Sequence, residues 1–224
     1  MNKVLVAIPA YNEERFLGSL LFDIEQRFPG LKILAIDDGS TDETAKIIAG
    51  HRIESIRHPV NQGKGASLKS AFRFAKENGF DWVITMDADG QHPVDSIRDF
   101  LIAIENNKAD LIVGHRMARK GAMPFHRQIS NGITSVVLSV CAGNDRLHDT
   151  QCGFRAVRMS RFRPSVYSEK GFQFESQMIL RMGKSGCRFH EIPIETVYGQ
   201  EKSSINLITD TIKFVKLVLK SLFY

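Results

Sequence analysis

Cysteines are scarce in this chain of 224 residues, and they form no recognisable motif. The three that are present, Cys141, Cys152 and Cys187, include no Cys-x-x-Cys pair. An odd number at wide spacing argues against a disulfide framework and indicates a reducing compartment, so we expect a cytoplasmic protein. The seven histidines do not combine with these cysteines at the spacing of a zinc motif, which counts against a structural zinc site.

Long hydrophobic runs are also missing. No uninterrupted apolar stretch approaches the ~20 residues of a transmembrane helix, and the apolar run at 4–8 is too short for a signal peptide. Hydrophobic residues make up 43% and charged residues 25%, which is ordinary for a single globular domain. The net charge of +5 is compatible with anionic partners, but mild basicity alone does not support nucleic-acid binding, which we do not expect.

Short apolar runs alternate with amphipathic helical patterns through the first half of the chain. The runs at 4–8, 31–36, 53–58, 81–86 and 110–113 are typical of buried strands, and 189–197 predicts a further strand. Helical patterns separate the first five runs, and longer helices are predicted at 125–142 and 205–224. This alternation indicates right-handed crossovers and an α/β fold with a mostly parallel central sheet, in which ligands bind beyond the carboxyl ends of the strands.

Acidic side chains follow three of these predicted strands, so we expect them to gather at one edge of the sheet: Glu13, Asp37, Asp38, Asp87 and Asp89. In an extended segment Asp87 and Asp89 point the same way, and like charges held together require a cation. The oxygens of Asp87, Asp89 and Gln91 suit Mg²⁺ or Mn²⁺. The alternative is a polar turn after a strand.

A glycine-bearing loop, Gly63-Lys64-Gly65, precedes another predicted helix. It allows either close approach to a nucleotide beside Lys64 or ordinary turn chemistry, and its spacing is not that of a Walker loop.

The second half of the chain is basic where the first half is acidic. The stretches 114–131 and 152–163 carry arginines and no Asp or Glu, which indicates either phosphate binding or a solvated basic face. In the last helix Lys213, Lys216 and Lys220 share one narrow stripe beside a broad apolar surface. That pattern fits a core helix, a contact between two copies of the chain, or a helix lying in a membrane interface.

Five segments together resemble one enzyme family: residues 9–13 (PAYNE), 37–40 (DDGS), 87–93 (DADGQHP), 149–155 (DTQCGFR) and 171–175 (GFQFE). With them the chain resembles the inverting GT-A glycosyltransferases of the large family that includes cellulose synthases and polyprenyl-phosphate sugar synthases, and most of all the dolichyl-phosphate mannose synthase-like enzymes. The resemblance implies a three-layer α/β/α GT-A domain over 1–200 and a separate amphipathic helix over 201–224. Two departures are Gly114-His115-Arg116, where the family has Gly-Ser-Arg, and the absence of the membrane helices that many relatives carry after the catalytic domain.

The resemblance also implies roles for individual residues. A GDP- or UDP-sugar donor would contact Pro9, Ala10, Tyr11, Glu13, Asp37, Asp38, Lys64, Gly65, Asp87 and Ala88. The metal, Mg²⁺ or Mn²⁺, would be held by Asp87, Asp89 and Gln91. The acceptor phosphate or the leaving diphosphate would meet Arg116, Arg127, Arg155 and Lys202. The catalytic set would be Asp89, Arg116, Arg127 and Glu175.

The activity implied is transfer of a sugar, with inversion, to an acceptor that is a polyprenyl phosphate, by an enzyme peripheral to the cytoplasmic face of a membrane. A phosphate acceptor needs no general base, whereas a hydroxyl acceptor would need one, and Glu175 or Asp149 is the candidate. The alternatives are transfer to a sugar hydroxyl in glycan synthesis and a non-catalytic nucleotide-sugar-binding module. A nucleotidyltransferase is disfavoured because its glycine-rich loop does not follow the first strand.

Overall fold

The computed structural model of the protein describes residues 2–116, 125–143, 147–171, 173–195 and 207–223, with side chains except at 125–130 and 207–210. The strands are β1 (Val4–Ala10), β2 (Lys32–Asp37), β3 (Glu54–Arg57), β4 (Trp82–Thr85), β5 (Leu111–Arg116), β6 (Arg155–Arg158) and β7 (Phe189–Ile194). The α-helices are α1 (Leu17–Arg27), α2 (Thr44–Ala49), α3 (Lys64–Glu77), α4 (Ile97–Glu105), α5 (Phe125–Ala142), α6 (Gln173–Lys184) and α7 (Leu207–Ser221). Each strand predicted from an apolar run is present, with shifts at its ends.

The seven strands form one sheet in the order β3-β2-β1-β4-β6-β5-β7. All neighbouring pairs are parallel except those that β6 makes with β4 and β5, which are antiparallel. The sequence did not predict β6, because a run of four residues with an arginine at each end, Arg155 and Arg158, carries no apolar signature. The sheet is therefore mostly parallel, as expected, with one strand inserted in the opposite direction.

Helices cover both faces of the sheet and make three layers. Side chains alternate along β1, so Val6 and Ile8 pack on one side with α1 and α4, whereas Leu5 and Ala7 pack on the other side with α3 and α6. Both faces are apolar because each is covered, as is usual for parallel sheets. The expected three-layer α/β/α architecture is confirmed.

The last helix, α7, packs against α6 along one side. Leu217 is 1% exposed and joins the core beneath α3 and α6, whereas Ile212, Val215 and Leu219 are each about half exposed. No helix in the described ranges is long and apolar enough to cross a membrane.

Candidate active site at the carboxyl edge of the sheet

The parallel register brings together the ends of the three predicted strands that acidic side chains follow. Ala10 at the end of β1 lies opposite Asp37 at the end of β2, and Ala7 lies opposite Thr85 at the end of β4. The chain after Thr85 runs on beyond the same edge, since the Met86 amide donates to the Ala7 carbonyl (3.1 Å). The predicted gathering of the acidic loops at one edge follows from this register.

The loops after β1 and β2 are locked to each other by hydrogen bonds. The amides of Asn12 and Glu13 donate to the hydroxyls of Ser40 (3.0 Å) and Thr44 (2.8 Å), and the Thr41 amide donates to the Asn12 side-chain oxygen (2.9 Å). Of the four residues predicted to contact the nucleotide here, Ala10 is buried, Pro9 and Glu13 are half-buried, and the Tyr11 ring is exposed at the rim. The site therefore has a rigid wall with an aromatic ring at its edge.

Asp37 and Asp38 are both buried but make different contacts. Asp37 accepts a hydrogen bond from the Ser40 amide (2.8 Å), and Arg57 Nε lies 3.0 Å from its other oxygen. Asp37 therefore stays at the sheet edge, beside the loop that follows β2.

Asp38 turns away from that loop and holds the start of α3. Its carboxylate accepts from the amides of Gln62 (3.1 Å) and Gly63 (2.7 Å) and contacts His58 Nδ1 (2.6 Å). His58 Nε2 in turn contacts the Ser70 hydroxyl (2.9 Å) on α3. His58 was not predicted as a site residue, because its position at the end of a weak strand gives no signal in the sequence.

Lys64, the first residue of α3, lies between two carboxylates from distant parts of the chain. Its Nζ is 2.6 Å from Asp87 Oδ1 and 3.2 Å from Glu175 Oε2, and its side chain is only 18% exposed. Burial alone would lower the pKa of Lys64, but the two acids raise it well above its ordinary value, so it is charged at every physiological pH. The structure thus brings together three residues that were predicted separately.

The Asp87 carboxylate packs closely against the backbone of the 149–155 segment at Gly153. A Cβ placed on Gly153 would lie 2.3 Å from Asp87 Oδ2, so only glycine allows this carboxylate to sit where it does. Burial would raise the pKa of Asp87, but Lys64 outweighs it and holds the pKa below its usual range. The sequence shows Gly153 only as part of the 149–155 motif, because its role depends on a contact with a residue that is remote in sequence.

Asp89 and Gln91 belong to one tight turn, in which the Gln91 amide donates to Asp89 Oδ1 (3.0 Å). Ala88 between the acids is buried, and Gly90 takes a positive φ of 72° that closes the turn. His92 follows, buried against the Phe154 ring, and burial lowers its pKa to about 4. The turn therefore ties the Gln91 backbone to the Asp89 carboxylate, and a buried, neutral imidazole follows it in the chain.

Arg116, at the end of β5, is fixed by a two-point ion pair. Its Nε and Nη2 lie 2.6 Å and 3.0 Å from the two oxygens of Asp149, and its side chain is 15% exposed. Burial would raise the pKa of Asp149, but the hydrogen bonds and the charge of Arg116, together with the Gln151 amide, outweigh burial and hold the pKa below its usual value. A guanidinium oriented in this way is pre-organised to meet an anion.

Arg155 does not lie where the resemblance implied. Its side chain is 0% exposed, and it donates to the carbonyls of Thr150 (2.7 Å), Cys152 (2.7 Å) and Glu175 (3.0 Å). With its donors used inside the core it is not available to an acceptor phosphate. Arg155 instead ties the 149–155 segment to α6. Of the other predicted phosphate contacts, the side chain of Arg127 and the whole of Lys202 lie outside the described residues.

The donor atoms at Asp87, Asp89 and Gln91 are carboxylate and amide oxygens, which is the chemistry that Mg²⁺ and Mn²⁺ prefer. The described residues contain no group of three or more His, Cys, Asp and Glu side chains placed to hold a metal ion. The third predicted ligand, Gln91, is an amide and so is not one of these side chains. The residue types fit a divalent cation that shares its coordination with a ligand such as a diphosphate.

A mostly parallel sheet between two helical layers, with acidic side chains at its carboxyl edge, is the architecture of a GT-A glycosyltransferase. The chain belongs to glycosyl transferase family 2, whose sequence profile matches residues 5–165. The family and fold expected from the motifs are confirmed, and the protein is a glycosyltransferase.

Two curated relatives match nearly end to end. The chain is 28% identical to the undecaprenyl-phosphate mannosyltransferase of Micrococcus luteus, over 94% of this chain and 91% of the relative. It is also 28% identical to the UDP-N-acetylglucosamine–dolichyl-phosphate N-acetylglucosaminyltransferase of Methanococcus voltae, over 88% of this chain and 86% of the relative. Among solved structures it is similar to glucosyl-3-phosphoglycerate synthase from Mycobacterium tuberculosis in complex with Mn²⁺, UDP and phosphoglyceric acid (TM-score 0.72, 16% identity, 99% of this chain and 77% of that one).

Proposed function

We propose that the protein transfers a hexose from a nucleotide-diphosphate sugar to a polyprenyl phosphate, with inversion at the anomeric carbon and with Mg²⁺ or Mn²⁺ as cofactor. The names of the two curated relatives, which differ in sugar but share a lipid-phosphate acceptor, support the acceptor class. The Mn²⁺ and UDP in the mycobacterial structure, and the oxygen donors at Asp87, Asp89 and Gln91, support the metal.

The observation that carries the choice of acceptor is the state of the two candidate bases. Asp149 is paired at both oxygens with Arg116, which lowers its pKa and makes it a poor proton acceptor. Glu175 is buried between Lys64 (3.2 Å) and Arg155 (3.7 Å). A hydroxyl acceptor needs a base in contact with its proton, whereas a phosphate monoester arrives already ionised. With both candidate acids engaged by cations, the site suits an anionic acceptor.

Different residues of the chain would bind the nucleoside and the diphosphate of the donor. The wall formed by Tyr11, Glu13 and Asp37 would bind the nucleoside. Asp87, Asp89 and Gln91 would hold the cation, which when bound stabilises the charge that develops on the leaving diphosphate. Arg116, oriented by Asp149, would receive an acceptor or diphosphate oxygen. Attack from the face opposite the diphosphate inverts the anomeric centre.

A lipid acceptor also requires contact with a membrane, and α7 offers a surface for it. The half-exposed Ile212, Val215 and Leu219 form one stripe at helical spacing, and the exposed Lys216 and Lys220 lie along one side of that stripe. In an interfacial helix, apolar side chains insert beneath the lipid headgroups and lysines contact the anionic membrane surface. We therefore propose that the enzyme is peripheral, at the cytoplasmic face, with a contact between two copies of α7 as the competing use of this surface.

Transfer assays with a panel of donors test the proposal. Purified protein is incubated with GDP-mannose, UDP-glucose or UDP-N-acetylglucosamine, with Mn²⁺ or Mg²⁺, and with undecaprenyl phosphate in detergent, and lipid-linked sugar is extracted and counted. We expect one donor to react with the lipid phosphate, and Asp89→Ala to abolish transfer, whereas Asp99→Ala, an exposed acid on α4, leaves it unchanged. Transfer to a sugar hydroxyl with none to the lipid would refute the acceptor. Donor binding without transfer or hydrolysis would indicate a binding module.

A further inference from the structure

We propose that Lys64 holds the place of the divalent cation at Asp87 while the donor is absent, so that it keeps the affinity of the free enzyme for metal ions low. The inference rests on the proposed function, in which a metal ion bridges Asp87 and a diphosphate. It assigns to Lys64 a positioning role in the coupling between metal and donor, in addition to any contact with the nucleotide.

The first observation is the contact itself. Lys64 Nζ lies 2.6 Å from Asp87 Oδ1, a predicted metal ligand, and 3.2 Å from Glu175 Oε2. Without the ammonium, the partly buried Asp87 carboxylate and the buried Glu175 carboxylate would face each other, and the nearest guanidinium to Glu175, that of Arg155, is 3.7 Å away. A pair of opposed carboxylates is a cation site, and Lys64 is the cation that fills it.

The second observation is that hydrogen bonds and close packing hold the backbone on both sides of Lys64. The preceding amide, of Gly63, is bonded to Asp38 (2.7 Å), and the Ala66 amide donates to the Lys170 carbonyl (2.9 Å). A Cβ on Gly65 would lie 2.7 Å from the Lys170 oxygen, so the start of α3 is clamped against the 170–171 segment. In this proposal Lys64 therefore leaves Asp87 by rotation of its four-carbon side chain, and not by movement of α3.

The charges around Asp87 give the donor its part in metal binding. Asp87 and Glu175 contribute two negative charges, and Lys64 contributes one positive charge. A divalent cation bound beside Lys64 would place two positive groups on the same carboxylate, and they repel each other in a partly buried site. A diphosphate relieves this repulsion because it supplies a new anionic partner for the ammonium. Metal binding alone is then weak, and metal and donor bind with positive coupling.

The test measures Mn²⁺ binding with no nucleotide present, from the electron paramagnetic resonance signal of free Mn²⁺. We expect Lys64→Met to bind Mn²⁺ at least tenfold more tightly than the wild type, and Lys64→Arg, which keeps the charge, to resemble the wild type. Lys69→Met is the matched control, because it removes the same charge from the same helix at a position over the Phe174 ring, and it should change the Kd less than twofold. Lys64→Gln, which also removes the charge but keeps a polar donor, replaces Lys64→Met if that variant does not fold, with the same expectation.

Asp89→Ala in the Lys64→Met background shows where the ion binds, and the gain in affinity should disappear there. Unchanged or weaker Mn²⁺ binding in Lys64→Met, with Asp89-dependent binding in the wild type, would overturn this inference and leave the proposed function intact. A gain that survives Asp89→Ala would overturn it as well, because the ion would then lie elsewhere. No Asp89-dependent binding in any variant, even with UDP or GDP added, would refute the metal in the proposed function itself.

Discussion

Replacing Arg155 with methionine distinguishes the role of this residue in the structure from the role that the sequence predicted. A phosphate-binding arginine contributes to activity and little to stability, whereas a fully buried arginine that bonds three carbonyls should do the reverse. Methionine has a similar length and an apolar side chain, so it fills much of the volume and removes every donor. The measurement is therefore a comparison of two quantities, the free energy of unfolding and the rate of sugar transfer.

The expected loss of stability follows from the contacts. Arg155→Met leaves the carbonyls of Thr150, Cys152 and Glu175 without their guanidinium donor. A buried polar group that loses its partner costs about 1–3 kcal/mol, and breaking a buried charge pair at one side costs about 3–5 kcal/mol. The effects share one network and do not add, so we expect a loss of about 3–5 kcal/mol. A domain of ordinary stability, about 5–15 kcal/mol, would remain folded but with a much lower midpoint.

Urea unfolding followed by the fluorescence of Trp82, the single tryptophan, gives the free energy directly. Arg163→Met, at an exposed arginine in the same basic stretch, is the control and should leave the midpoint unchanged. Arg155→Lys should be intermediate, because one ammonium cannot reach three carbonyls at the spread of a guanidinium. A midpoint equal to that of the wild type, together with a large loss of transfer activity, would refute the structural role of Arg155. It would instead support a role in phosphate binding.

Three further expectations concern other parts of the molecule. Gly153→Ala places a methyl group 2.3 Å from an Asp87 oxygen, so transfer activity should fall at least tenfold, whereas Gly132→Ala, with open space around it, serves as control. The lowered pKa of Asp149 means that its stabilising effect is complete above its unfolded value of 3.8 and is lost as the pH falls through the folded value. The stability difference between wild type and Asp149→Asn should therefore shrink below about pH 4, and a difference that stays constant would contradict this. Exchanging Lys216 and Lys220 for glutamate should abolish sedimentation with phosphatidylglycerol vesicles, and unchanged sedimentation, or a monomer–dimer shift instead, would rule out the interfacial helix.

The sequence alone determined the layers of the fold and the location of the site. Apolar runs such as Val4–Ala10, separated by helical patterns, leave a parallel sheet as the arrangement that buries them all, and helix α5 was predicted with the bounds that the structure has. The acids at Asp37 and Asp87 were placed at one edge correctly, because parallel strands that follow crossovers all end there. These features depend on hydrophobic periodicity and on the common direction of the strands, and both follow from short stretches of the sequence.

Tertiary structure alone decided which charge meets which. The contacts of Lys64 with Asp87 and Glu175 join three separate elements, and β6 enters the sheet in the opposite direction, which buries Arg155. The sequence alone does not show whether an arginine side chain is exposed to water or bonded to three carbonyls in the core. The energy that fixes its position comes from partners that are remote along the chain, and burial turns those partners into a strong constraint because an unpaired charge in the core is so costly.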